Sequence, residues 1–321
     1  MDRLRERSVF FAYRGAAVLA RRVPPALGLA EMVGATLAFS MPERRALIGR
    51  HLQRVSGGGL SGLSLLAADI RAFVSYGRYW RDSFRLPGMS PEELDAHMSF
   101  EGFEHLAAGL DRGRGVILAL PHMGNWDYGG AWLAAIGLPL TAVVERLPGE
   151  RLVRWFNDRR QAMGMTVVPL GPKAAAKIVA VLRRGGLVGL LSDRELGTSG
   201  VTVRFFGEET TLPAGPATLA LRTGAALIPV SVLYQRGGRH LAVIRPALDT
   251  TRRGSVSEDV ARITQALAEE LEGLIRRAPE QWHLFQPNWP SDPFYPHPGR
   301  PPGEGGDGDA RVGDPASPRL R

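Results

Sequence analysis

From about residue 100 to residue 277 of this 321-residue chain, short β-rich runs alternate with longer helical patterns, and that alternation limits the fold more than any other feature. The runs are VILALP (116–121), LTAVVE (140–145), TVVPL (166–170), LVGLLSD (187–193), VTVRFF (201–206), ALIPVSVLY (226–234) and HLAVIRP (240–246). Between many of them lie GERLVRWFNDRRQAMG, PKAAAKIVAVLRRGG, PAGPATLALRTG and SEDVARITQALAEELEGLIRR, which carry apolar residues at three- and four-residue spacing. Strands alternating with helices predict an α/β domain, a mixed central sheet flanked by helices, spanning residues 96–297. At 44% hydrophobic the chain has enough apolar surface for a large core.

Residues 1–95 read differently. ERRALIGRHLQRV and LSLLAADIRAFVSYGRYWRDSF are helical patterns joined by the Gly/Ser-rich SGGGLSGLS. The first 54 residues hold ten Arg against four acids, a net +6 out of +8 for the whole chain. The apolar runs SVFFAYRGAAVLA and ALGLAEMVGATLAFSM are interrupted by Arg14 and Glu31, and both are shorter than the ~20 residues of a spanning helix. Arg14, Arg21 and Arg22 within or just after the apolar stretch, with no small-residue cleavage site, argue against a cleaved signal. Arg beside Phe, Leu and Val suits a helix lying in an anionic membrane surface, where each basic residue is worth about 1 kcal/mol. An amphipathic helix packed on its own domain with a solvated Arg face accounts for the pattern equally well. Nucleic-acid binding is not expected, because the basic residues come with none of the fingerprint modules. The tail from Pro298 is rich in Pro, Gly and Asp and is expected to be disordered.

The chemistry concentrates in VILALPHMGNWDYGGAWLAAIGL, residues 116–138. A buried-strand candidate ends at Pro121, and a helical pattern begins after Asn125, a good cap residue. His122 and Asp127 lie five apart. On one ideal helix they would point about 140° apart; they can meet if His122 lies in the turn and Asp127 in the first helical turn. A carboxylate on one ring nitrogen fixes the tautomer and frees the other nitrogen to take a proton from a hydroxyl. On spacing alone, a structural His beside a helix-capping Asp explains the pair more readily than a dyad.

The segment resembles the His-four-Asp motif of the glycerolipid acyltransferases. The wider chain is similar to the branch containing lipid A late acyltransferases and phosphatidylinositol mannoside acyltransferases. The resemblance rests on FVSYGRYWRDSFRLP, LALPHMGNWD, NDRRQAMGM, LLSDRELGTSGVTVRFFG, LPAGPATLALRTGAALIPV and PEQWHLFQPNW, in that order. An Ala- and Arg-rich composition and the RELG turn favour the mannoside branch, with lipid A-type or other glycerolipid acylation as the alternative.

This likeness implies transfer of a fatty acyl group from acyl-CoA, a co-substrate, to a sugar hydroxyl of a membrane glycolipid, with His122 as general base. It implies that an acid steadies His122: Asp127, or Asp193 or Glu195 in SDRE, of which Asp193 aligns more naturally because it ends a strand. Oxyanion donors would be backbone N–H groups near Gly124 and Asn125, or the guanidinium of Arg160 or Arg194. Further substrate contacts are implied for Asn125, Trp126, Ser199, Phe205, Phe206, Gly207 and Arg222. For the two Phe residues, which the resemblance puts on the wall of an acyl tunnel, core packing is the preferred account; for Arg160 a solvated helix face is an equal one. The implied location is the cytoplasmic face of the cell membrane, held peripherally.

Other chemistries find little support. Gly57, Gly59 and Gly62 form a G-x-G-x-x-G, but no strand precedes it, so it reads as a connector. There is no G-x-S-x-G elbow and no P-loop. The seven His show no metal-ligand spacing, no metal or cofactor is expected, and Cys is absent. A hydrolase that activates water with the same His, and a non-catalytic lipid-binding protein, remain the competing classes.

Overall fold

Two strands at the centre of the fold are apolar at nearly every position, because helices cover the sheet on both faces. The computed structural model describes residues 2–295 apart from 146–149, 172, 196, 198 and 199; for residues 2–6 and 26 it describes the backbone alone. The tail expected to be disordered lies outside the described residues.

The chain opens with helices α1 (Asp2–Arg22), α2 (Leu29–Ser40), α3 (Pro42–Val55), α4 (Gly62–Arg85) and the short α5 (Pro91–Ala96). The layered domain follows as β1 (Met98–Glu101), α6 (Phe103–Asp111), β2 (Val116–Leu120), α7 (Trp126–Ala135), β3 (Leu140–Val144), α8 (Glu150–Ala162), β4 (Thr166–Pro169), α9 (Ala174–Arg183) and β5 (Leu187–Leu191). It continues with β6 (Val201–Phe205), β7 (Glu208–Leu212), α10 (Gly215–Thr223), β8 (Ala226–Tyr234), β9 (His240–Ile244) and α11 (Val256–Arg276). The seven-stranded sheet has the order β1-β9-β8-β2-β5-β3-β4. Every neighbouring pair is parallel except β8 with β9. The expected mixed sheet is therefore present and mostly parallel.

β2 and β8 are buried along their whole length. One face of the sheet packs Ile117, Val188 and Leu227 against α9, α10 and α11. The other packs Leu118, Leu187 and Ile228 against α6 and α7. α11 shows why such helices form here. Ser255 and Glu258 make a reciprocal capping box, and Ile263, Leu267, Leu271 and Leu274 then fall on one buried stripe. The β6–β7 hairpin stands apart as a two-stranded sheet against α11.

α2 and α4 approach until their backbones touch: a Cβ on Gly34 would overlap the Phe73 carbonyl, and one on Gly77 the Ala30 carbonyl. α1 is held through Tyr13 and Ala17 on an apolar cluster with Phe84 and Leu152. Both α1 and α2 also leave apolar side chains exposed: Phe11, Val18 and Leu19 on α1, and Met32, Val33 and Phe39 on α2. Among the described residues, no helix is long and apolar enough to cross a membrane.

Candidate active site

Parallel register brings the site together. Leu120, the last residue of β2, is paired with Leu191, the last of β5. Two positions beyond each, at the carboxyl ends where open α/β sheets hold their ligands, stand His122 and Asp193. The His122 ring Nδ1 lies 2.6 Å from Asp193 Oδ1, and the His122 backbone N–H donates to Oδ2 over 2.9 Å. Asp193 is fully buried, whereas about a fifth of the His122 side chain is exposed. Burial pushes the Asp193 pKa up. The charge of His122, its two hydrogen bonds and a third from the Trp282 indole outweigh this and hold the group below the usual carboxylate range. An ionised carboxylate can only accept, so Nδ1 carries a proton, and the ring's neutral form then has Nε2 as the base.

The turn that presents His122 depends on Gly124. Its φ is +59°, and a Cβ there would overlap the Val232 carbonyl oxygen, because β8 runs on past the end of β2 and bridges to it. Asn125 then caps α7, its side-chain oxygen accepting from the Tyr128 N–H at 3.0 Å. Trp126 packs its ring edge-on to His122 at 5.8 Å and lies 4.4 Å from the Tyr79 ring.

Asp127 does not take the place expected of it beside His122. It sits in the first turn of α7, accepts from Arg160 through both oxygens, at 2.9 and 3.3 Å, and receives the Tyr79 hydroxyl at 2.9 Å. The reason is positional. Asp193 already fills Nδ1 by sheet register, while Asp127, a helical residue, turns towards α8 and α4. Arg160 is neither a solvated residue nor a free anion clamp. Burial lowers its pKa, but Asp127 and Tyr79 more than restore it, so the guanidinium stays charged and committed. Burial together with Asp127 raises Tyr79 well above its ordinary value.

Of the expected oxyanion donors, Arg160 and the two backbone groups are already spent, whereas Arg194 is not. The Gly124 N–H donates to the Gln281 carbonyl and the Asn125 N–H to the Val232 carbonyl, so the structure uses both internally. Among the donors buried without a partner in the described residues are Nδ2 of Asn125 and Nε of Arg194, whose Nη2 holds Glu145 at 2.9 Å. Glu195 accepts from the Gly197 N–H, and Asp193 is the carboxylate on the ring.

Of the remaining implied contacts, Ser199 lies outside the described residues, and Arg222 is exposed in the last turn of α10. Phe205 is fully buried and stacks on Trp289 at 5.7 Å, while Phe206 packs near Trp282; core packing is their role. With Gly207, Phe206 forms a two-residue turn in which both φ values are positive, a conformation that favours Asn-Gly and is costly for Phe. Three groups hold the site in roles that the sequence did not assign them. Tyr79 lies on α4; Trp282 and Asn288 lie in the segment after α11, where the crowding of Trp and aromatic residues in QWHLFQPNW was their one signal.

Comparison with known proteins agrees with this geometry. The sequence profile of a family described as bacterial lipid A biosynthesis acyltransferase matches residues 70–291. A phosphatidylinositol mannoside acyltransferase of Mycolicibacterium smegmatis is 44% identical over 227 residues, 70% of this chain and 73% of that protein. One from Mycobacterium tuberculosis is 44% identical over 223 residues, 68% of this chain and 69% of its own. A lipid A biosynthesis acyltransferase of Haemophilus influenzae is 30% identical over 201 residues, 60% of this chain and 59% of its own. With its free imidazole nitrogen at the end of β2 and these relatives, the chain belongs to the family of bacterial lipid A and phosphatidylinositol mannoside acyltransferases.

Proposed function

We propose that the protein moves a fatty acyl group from acyl-CoA to a sugar hydroxyl of a membrane glycolipid, a phosphatidylinositol mannoside. The observation that carries the chemistry is the His122–Asp193 pair, with Nδ1 tied to a buried, ionised carboxylate and Nε2 left for substrate. Nε2 takes the proton of the attacking hydroxyl as its oxygen closes on the thioester carbonyl. The tetrahedral intermediate collapses with loss of the C–S bond, and the imidazolium returns its proton to the leaving thiolate. No acyl-enzyme is required. Asp193 stabilises the imidazolium in between, and Asn125 Nδ2 and Arg194 Nε, both without a partner among the described residues, are the donors assigned to the oxyanion.

The choice of acceptor rests on the two mycobacterial relatives, which share more of their sequence with this chain than the Haemophilus protein does. The exposed apolar side chains of α1 and α2, with Arg14, Arg21 and Arg22 in the same stretch of sequence, support a peripheral seat on an anionic membrane surface, at the cytoplasmic leaflet where acyl-CoA is available. The test is to incubate purified protein with labelled palmitoyl-CoA and a panel of glycolipids, then locate the acylated hydroxyl by mass spectrometry. His122→Ala should lose a factor on the order of 10²–10⁴. Release of free fatty acid at the same rate without acceptor would make the protein a hydrolase, and an unimpaired His122→Ala would remove the base.

A further inference from the structure

We infer that Trp282, in the segment that follows α11, is a positioning residue for the His122–Asp193 pair. Its indole N–H holds the carboxylate oxygen that is not on the imidazole. The inference rests on the reading of His122 as the base. Asp193 Oδ1 accepts from the ring, while Oδ2 accepts from the His122 backbone N–H at 2.9 Å and from Trp282 Nε1 at 2.7 Å. Without Trp282, the Oδ2 side would keep one donor, and that donor belongs to the residue being oriented. The carboxylate plane would then follow the imidazole rather than fix it.

The choice of indole has a chemical reason. It is a donor with no acceptor, so it cannot compete with Asp193 for the Nδ1 proton, and its apolar body fills a buried site that a hydroxyl would leave wet. Trp282 is 3% exposed, with Phe206, Trp289 and His51 packed around it.

Its backbone is fixed against the same turn it serves. Met123 bridges Trp282, the Gly124 N–H reaches the Gln281 carbonyl at 2.9 Å, and the His283 N–H reaches the His122 carbonyl at 2.6 Å. The Gln281 side chain clamps both backbone groups of Tyr234 at the end of β8. Asn288 donates to the Asp193 carbonyl, and Asp292 anchors the far end to His51 and Arg54 of α3. One strap therefore orients the base through its main chain and the acid through a side chain.

The test is Trp282→Phe, which keeps the aromatic packing and deletes the N–H. We expect kcat to fall roughly 10–100-fold, as for other partners that orient a reacting group. KM for acyl-CoA and acceptor should stay within about twofold, since no substrate contact is lost. A carboxylate with fewer donors is more basic and favours the imidazolium, so the acid limb of the kcat profile should move up by roughly half to one pH unit. Among the described residues, Asp193 and His283 are coupled to His122; Arg194, next to Asp193 in sequence, holds Glu145, and Asp127 is paired with Arg160. Burial holds His283 at about 3, so it stays neutral across that limb.

Wild-type kcat with an unmoved limb, beside a silent His122→Ala, overturns the inference and leaves the base standing. A fall in kcat with an unmoved limb also overturns it, because lost packing alone would do that. An active His122→Ala instead removes the reading beneath it. Should the Phe variant not fold, ¹⁵N-indole spectra of the intact enzyme decide: one of the six Trp resonances should move upfield in Asp193→Asn, and none moving overturns the assignment.

Discussion

Asp127→Asn separates the two carboxylates of the site by what each one does. Asp127 and Arg160 are largely buried, their side chains 8% and 19% exposed. Removing the negative charge leaves a guanidinium that is desolvated and uncompensated, which costs about 3–5 kcal/mol when one partner of a buried pair is deleted. The Asn oxygen can still accept one bond from Arg160 or Tyr79, so about 3 kcal/mol is the better expectation. At roughly 2–4 °C per kcal/mol for a domain of this size, Tm should fall by about 6–12 °C.

The His122–Asp193 bond is untouched by that change, so the folded variant should keep most of its kcat well below the melt. Asp193→Asn should do the reverse. An amide that donates to Nδ1 puts the proton on Nε2 and removes the base, a loss on the order of 10²–10⁴ in kcat. Paired thermal melts and acyl-transfer rates measure both quantities. Converting the pair to apolar residues, Asp127→Leu with Arg160→Met, should recover much of the stability lost in Asp127→Asn, because no charge is then stranded. If Asp127→Asn melts like the parent yet is as silent as Asp193→Asn, the division of roles is wrong.

Burial holds His240 and His283 to about 3, below the ordinary 6.5, so the unfolded chain binds protons that the folded one refuses and stability falls as pH drops through that window. His240→Phe should flatten the slope by about 1.36 kcal/mol per pH unit between about pH 4 and 6, read from urea titrations. Burial raises Asp69 to about 6, which acts with the opposite sign in both proteins, so the difference between them isolates His240. Gly124→Ala should cost more than the ~1–2 kcal/mol of a left-handed Ala, because the methyl also overlaps Val232; an unchanged Tm would contradict that geometry. Serine at the exposed Phe11, Leu19 and Met32 should leave Tm unchanged and weaken sedimentation with anionic vesicles. Equal binding would refute the membrane seat.

Much of the fold could be read in the chain because its central strands are apolar throughout and its helices repeat on one stripe. ALIPVSVLY matches β8 residue for residue, and HLAVIRP differs from β9 by its last two. The elements missed were β1 (MSFE), β7 (EETTL) and α6 (FEHLAAGLD). β1 is an edge strand of four residues. β7 is almost wholly polar and gains its burial from Thr210 and Leu212 across the hairpin, so no local apolar run announces either strand.

The site was legible to the extent that it is local. His122, the Asn125 cap and the helix start all follow from LPHMGNWD. What spacing could not decide was the partner of the ring, because that depends on which strand lies beside β2. Asp193 is 71 residues away and adjacent only through the register of β2 with β5. Trp282 is 89 residues beyond Asp193 and reaches it by the return of the chain after α11. The carboxylate near in sequence was drawn to a cation on another helix, and the distant one was delivered by hydrogen bonding in the sheet. A strand end positions a group through the ladder it belongs to, whereas a first-turn helical residue is aimed by the rotation of its helix. That difference is why a His and an Asp five apart share one motif and serve two separate ends, one as the base and the other holding α7 against α8 and α4.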